Sequence, residues 1–136
     1  MISSSGKKDK TNPGLYIQLS AEDVRFYSGC HSLYAKQLDK IRSKILQEPD
    51  RFKKLIENTD FVKTFSEIRG EKSKKLARPY EKLAQTQPLL YNKSFYYYAK
   101  FSPNLVLDAN LIKTIIDNYK NCSAINTFFQ EALSKN

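Results

Sequence analysis

The chain has 136 residues, 40 % of them hydrophobic, which suits one domain with a modest core. Its 23 Lys and Arg against 14 Asp and Glu leave a net charge of +9, so polyanions or acidic partners are favoured. A single histidine excludes a multi-histidine metal site, and no window approaches the roughly 18 consecutive apolar residues of a membrane span.

Residues 1–13 read as a flexible N-terminal segment in which Met1-Ile2 is at most a strand stump, because Gly6 to Gly14 is polar, lysine-rich and ends in Pro13-Gly14. Nothing in Met1 to Lys10 resembles the apolar part of a signal peptide, so a cytoplasmic protein is expected. Residues 14–136 read as a single α+β domain. A strand near 14–19 (Leu15-Tyr16-Ile17-Gln18-Leu19) and another near 24–29 flank the polar turn Ser20-Ala21-Glu22-Asp23. In the second strand Val24, Phe26 and Ser28 share one face, Arg25 and Tyr27 the other.

Helices follow. Ser32 is expected to cap one carrying Tyr34, Leu38, Ile41 and Ile45, which Pro49 ends; Asp50 then caps a second with Phe52, Leu55 and Ile56 inward. Thr59 or Asp60 starts a third carrying Phe61, Phe65 and Ile68, and Gly70 stops it. From Glu71 to Gln87 apolar periodicity fades, which predicts a long ordered loop or a poorly packed turn of helix. Phe95-Tyr96-Tyr97-Tyr98-Ala99-Lys100-Phe101 is too rich in β-prone aromatics for a helix and predicts a strand near 94–101. After Ser102-Pro103-Asn104, Leu111, Ile112, Ile115, Ile116 and Tyr119 mark one helix. Asn121 or Ser123 is expected to cap a last one with Ile125, Phe128, Phe129, Ala132 and Leu133. The expected fold is a small antiparallel sheet packed against about four to five helices.

Little in this pattern is catalytic. Cys30 and Cys122 read as free thiols, with Cys30 packed inward and the neighbouring His31 pointing out. Glu22, Asp23, Glu67, Glu71, Asp108 and Asp117 read as solvated or capping carboxylates rather than an acid–base pair. No His-Glu-x-x-His, Walker or Gly-x-Gly-x-x-Gly pattern is present, so neither a metal nor a cofactor is expected. The suggestive stretch is basic: Arg69, Lys72, Lys74, Lys75, Arg78 and Lys82 gather positive charge within fourteen residues. With backbone N–H groups after Gly70 it has the ingredients of an anion site, and tyrosines such as Tyr16 offer stacking surfaces. In the aromatic strand Tyr96 and Tyr98 share one face, and Phe95, Tyr97, Ala99 and Phe101 the other. Both faces are read as core, with an open stacking face as the alternative.

The motifs Pro13-Gly14-Leu15-Tyr16-Ile17-Gln18-Leu19, Gly70-Glu71-Lys72-Ser73-Lys74-Lys75, Gln87-Pro88 and Lys93-Ser94-Phe95 stand in the order of a known family. From about Gly6 to Leu133 the chain resembles the C-terminal part of the domain of unknown function 2461 family. The resemblance implies an α+β fold without an established activity, and it implies a truncated member, since relatives carry a further N-terminal region. Gln18 and Gln87 stand where the family has histidine, and Ser28-Gly29-Cys30 replaces a glycine-rich segment.

Two classes of function follow. The first is a non-enzymatic module that engages nucleic acid or another anionic ligand through the 69–82 loop and the adjoining sheet face, using Arg69, Lys72, Lys74, Lys75, Arg78 and Tyr16. The second is a remnant of an enzyme, with Glu71, Lys74, Arg78 and Tyr16 as surviving groups. A homodimer or partner chain pairing through a bare sheet edge is a further expectation, and a membrane is not.

Overall fold

In the strands Val24–Cys30 and Phe95–Phe101 buried residues such as Phe26, Tyr97 and Ala99 alternate with less buried ones such as Tyr27, Tyr98 and Lys100, and that alternation decides how the sheet sits. The computed structural model describes residues 14–134, so the expectations placed on 1–13 lie outside it. Three antiparallel strands, β1 (Gly14–Leu19), β2 (Val24–Cys30) and β3 (Phe95–Phe101), form one sheet in the order β1-β2-β3. The register aligns Tyr16 with Tyr27 and Tyr27 with Tyr98, and it places Gly29 between Gly14 and Tyr96. Five helices accompany the sheet: α1 (Ala35–Gln47), α2 (Pro49–Ile56), α3 (Thr59–Phe65), α4 (Arg78–Ala84) and α5 (Leu111–Ser134). The α+β architecture expected from the sequence is therefore the one observed.

One face of the sheet makes the core. Phe26, Phe95, Tyr97 and Ala99 are buried against Phe61 and Phe65 of α3 and Phe128 and Phe129 of α5. Ring centres lie 5.1 Å apart for Phe61 and Tyr97 and 5.4 Å apart for Phe95 and Phe129, within the range where aromatic pairs attract beyond simple burial. The hydroxyl of fully buried Tyr97 donates to Asn126 Oδ1, and Asn126 Nδ2 donates to Ser28 Oγ at 2.9 Å, so the polar atoms among these rings are bonded to one another. Burial pushes the Tyr97 phenol well above its usual range.

The helix boundaries differ from expectation for local reasons. The first turn of α1 is closed by Gln37, whose side chain accepts from Tyr34 N at 2.9 Å, so Tyr34 rather than Ser32 stands at the cap. Pro49 does more than end α1. It opens α2, where a missing N–H costs nothing, and Glu48 serves both helices: its N–H donates to Lys44 O and its C=O accepts from Phe52. Asp50 lies in the first turn of α2 instead of capping it. Asn58 caps α3 by accepting from Phe61 N at 3.1 Å, one residue ahead of the expected start at Thr59 or Asp60. Ser66, with φ of 73°, ends it, and Gly70 does not.

Gly70 has another use. A side chain there would bring its Cβ within 2.1 Å of the Ser94 carbonyl oxygen, so its bareness lets residues 69–73 lie along the chain that feeds β3. Arg69 N donates to Tyr96 O at 2.7 Å, Tyr96 N to Arg69 O at 3.0 Å, Lys93 N to Glu71 O at 2.7 Å and Ser73 N to Tyr91 O at 2.7 Å. Arg42 of α1 ties the same segment down, donating to Leu90 O at 2.8 Å, Asn92 O at 3.2 Å and Ser73 Oγ at 3.1 Å. The stretch from Glu71 to Gln87 is thus a pinned edge segment followed by α4, with Leu76, Tyr80 and Ala84 in the core, where weak periodicity predicts a long ordered loop or a poorly packed turn of helix.

The C-terminal region is one 24-residue helix, with no break at Asn121 or Ser123. Both have the side chains of caps, but here they bond elsewhere: Asn121 Nδ2 donates to Thr64 Oγ1 at 2.9 Å and Ser123 Oγ back to Lys120 O at 3.1 Å. Cys122, buried beside them, carries the apolar face across the supposed boundary.

Candidate nucleic-acid interface

The second face of the sheet is the open one. Strand alternation and the register gather Tyr16 and Gln18 of β1, Arg25 and Tyr27 of β2, and Tyr96, Tyr98 and Lys100 of β3 on the side opposite Phe26 and Tyr97. Tyr16, Tyr27, Tyr96 and Tyr98 are each only half-buried, while Gln18 and Lys100 are exposed. The expectation that both faces of the aromatic strand are core therefore holds for Phe95, Tyr97 and Ala99 and fails for Tyr96 and Tyr98. The helices cover one side only, since α3 and α5 pack where Phe26 and Tyr97 point.

A continuous row of rings crosses this face. Tyr16 and Tyr27 stack nearly parallel, centres 5.0 Å apart at 11°, and Tyr27 meets Tyr98 at 5.2 Å. Two guanidinium groups close the row over Tyr98, that of Arg69 at 4.6 Å from the ring centre and that of Arg25 at 5.2 Å. Arg25 Nη1 also donates to the Tyr27 hydroxyl at 3.2 Å, and its Nε lies 3.3 Å from the Asp23 carboxylate. Partial burial, then the neighbouring Tyr27 and Tyr96 hydroxyls, hold the Tyr16 phenol above its usual range. At one end exposed His31 lies 4.7 Å from Tyr96, and the neighbouring Cys30 is packed inward, as their adjacency on an extended chain predicts. Between Tyr16, His31 and Tyr96 the register places Gly29, whose backbone leaves that part of the face low.

The six residues singled out from sequence divide three ways. Tyr16 and Arg69 lie on the tyrosine face itself, Arg69 because its bridge to Tyr96 aims both side chains to the same side. Lys72, Lys74 and Lys75 are exposed on the edge segment and the turn after it, Lys72 bridging Asn92 just ahead of β3. Arg78 begins α4, which packs on α1 and the Pro88–Tyr91 turn, so it belongs to the helical layer. The enzyme-remnant grouping of Glu71, Lys74, Arg78 and Tyr16 is not assembled: Glu71 pairs with Lys93 ahead of β3 and Tyr16 lies on β1, more than about 14 Å away across three strand spacings. Gln18 is exposed on β1 whereas Gln87 is buried ahead of the Pro88–Tyr91 turn. Arg25, Tyr27 and His31 join the face without having been singled out. Alternation along β2 already set Arg25 and Tyr27 apart from Phe26, but the register against β3 carries the information that makes them neighbours of Tyr98. Among the described residues no group of three His, Cys, Asp or Glu is placed to hold a metal, and no helix is long and apolar enough to cross a membrane.

A family model described as conserved hypothetical protein (DUF2461) matches residues 1–128, nearly the whole chain. The chain belongs to the DUF2461 family. No curated protein and no solved structure matches it significantly. Membership of DUF2461 brings no substrate or partner with it, so any assignment must come from the tyrosine face.

Proposed function

We propose that this protein binds single-stranded nucleic acid on the open face of its sheet. The observation that carries this reading is the row Tyr16, Tyr27 and Tyr98 bracketed by Arg25 and Arg69. Every base has a flat π-face, so tyrosines on an uncovered sheet accept bases with little regard to sequence, while guanidinium and ammonium groups beside them take the phosphates. Lys72, Lys74 and Lys75 on the edge segment and the turn after it extend the cationic track past Arg69, and the net charge of +9 attracts the polyanion from a distance. A duplex suits the face less well, because its bases are already stacked on each other and this flat sheet offers nothing to enter a groove.

The test is fluorescence anisotropy with a labelled single-stranded oligonucleotide and the matching duplex, titrated at several salt concentrations. Binding that favours the single strand, weakens steeply with salt and falls about tenfold in Tyr98→Ala supports the reading. Absence of binding at low salt, or binding untouched by Tyr98→Ala, removes it.

A further inference from the structure

Across the β2–β3 ladder the residue opposite Tyr96 is Gly29, which has no side chain, so the Tyr96 ring is free to meet its diagonal neighbour. That neighbour is His31, exposed, its ring centre 4.7 Å from that of Tyr96. Tyr96 also lies close to Tyr16, whose phenol its hydroxyl helps to hold up. The aromatic surface therefore runs from Tyr98 through Tyr27 and Tyr16 to Tyr96 and finishes on His31. Its two ends carry different kinds of charge. At Tyr98 the guanidinium groups of Arg25 and Arg69 are permanent cations, whereas the ring against Tyr96 is an imidazole, a group that gains its charge only as the pH falls.

We propose a role for His31 that rests on the nucleic-acid reading of this face: its protonated ring holds a phosphate of a single strand stacked on the tyrosines, so that binding tightens in mild acid. A charged imidazole donates from both nitrogens and accepts from neither, which suits a phosphate oxygen, and contact with the Tyr96 ring steadies a cation at that spot. A strand gripped by the arginines at Tyr98 alone is held at one end; with His31 charged it is held at both. The coupling is reciprocal, because a phosphate that favours the charged ring makes the complex take up a proton. Besides Tyr96, the titratable and charged groups of the segments that meet at this end are Tyr16 of β1, Arg69, Glu71 and Lys72 of the edge segment, Lys93 ahead of β3, and Tyr34 and Lys36 where α1 begins; Tyr16 and Arg69 are half-buried and the rest exposed. Among the described residues no carboxylate forms an ion pair with His31, so the strand itself supplies the anion for the charged ring.

Fluorescence anisotropy of the whole chain with a labelled oligothymidylate, at about pH 8 and about pH 5.5 and across a salt series at each, tests this. The wild type is expected to bind about fourfold more tightly in acid near physiological salt, with a salt slope steeper by about 0.7, the share of one added phosphate contact on a single strand. His31→Gln is expected to lose that gain. His31→Arg, charged at both pH values, is expected to show the steeper slope at both. The position is exposed, so neither substitution disturbs packing. Binding that is lost in Tyr98→Ala yet equal at the two pH values, or a gain in acid that persists in His31→Gln, overturns the role of His31 and leaves the nucleic-acid reading standing; absence of binding at both pH values overturns the two together.

Discussion

The Arg69 guanidinium lies 4.6 Å above the ring of Tyr98, on a backbone that two hydrogen bonds tie to Tyr96 and with Nη1 3.9 Å from the Glu67 carboxylate. The pairing sets the Arg69 side chain on the tyrosine face, where its Nε is buried and has no hydrogen-bond partner. Arg69→Gln removes the charge and keeps much of the stem, so the expected outcome is weaker oligonucleotide binding with a salt-dependence slope smaller by about 0.7, the share of one phosphate contact on a single strand. The measurement is the anisotropy titration repeated across salt concentrations; an unchanged slope means that Arg69 touches no phosphate.

Glu131 sits between two cations. Its carboxylate takes Arg51 in a two-pronged bond at 2.9 and 3.1 Å and approaches buried Lys44 at 3.1 Å. The bonds to Arg51, then to Lys44, hold its pKa down at about 2. The folded pKa lies below the ordinary value near 4.5, so the interaction stabilises the fold above about pH 4.5 and is lost as the pH falls toward 2. Because the Glu131 side chain is partly in solvent, its loss is modest: Glu131→Gln is expected to cost about 1 kcal/mol at neutral pH. Urea titrations compared at neutral pH and near pH 2 check the sign, since the difference between variant and wild type should vanish in acid.

Gly29 bears the tightest constraint on the sheet. With φ of 105° and a Cβ that would stand 2.4 Å from the Phe95 carbonyl oxygen and 2.9 Å from Tyr96 Cα, it meets backbone that cannot swing aside. Gly29→Ala is expected to destabilise by about 2 to 4 kcal/mol, seen as a lower urea midpoint, or to prevent folding.

Both described thiols are shielded. Burial pushes Cys30 up to about 12 and Cys122 up to about 11, so almost no thiolate forms at neutral pH. The native protein should leave Ellman's reagent uncoloured over minutes and release two equivalents once unfolded in guanidinium. Rapid reaction of either cysteine in the native state contradicts the packing described for β2 and α5.

Much of the scaffold is written locally. Alternation in Val24 to Cys30 and in Phe95 to Phe101 suffices to name the buried face of each strand, and the run of aromatics marks β3 because a helix accommodates it poorly. What eluded the sequence depends on partners far along the chain. Asn121 looks like a cap until Thr64 is known to be in reach, and the edge segment after Gly70 owes its order to Arg42, some thirty residues earlier. The candidate site divides in the same way: Tyr16 and Arg69 are conspicuous by type, whereas Arg25 and Tyr27 gain meaning only when strand pairing sets them beside Tyr98.

The irregular stretch beside β3 also limits how the sheet can grow. Arg69 pairs with Tyr96 but Lys72 with Asn92, a mismatch of one residue that bends the covering chain out of step with the strand it shields. An incoming strand finds no regular row of free amides and carbonyls on that flank, and it meets lysines instead. A protein so rich in tyrosine and phenylalanine is thereby kept from adding strand after strand into fibrils in that direction.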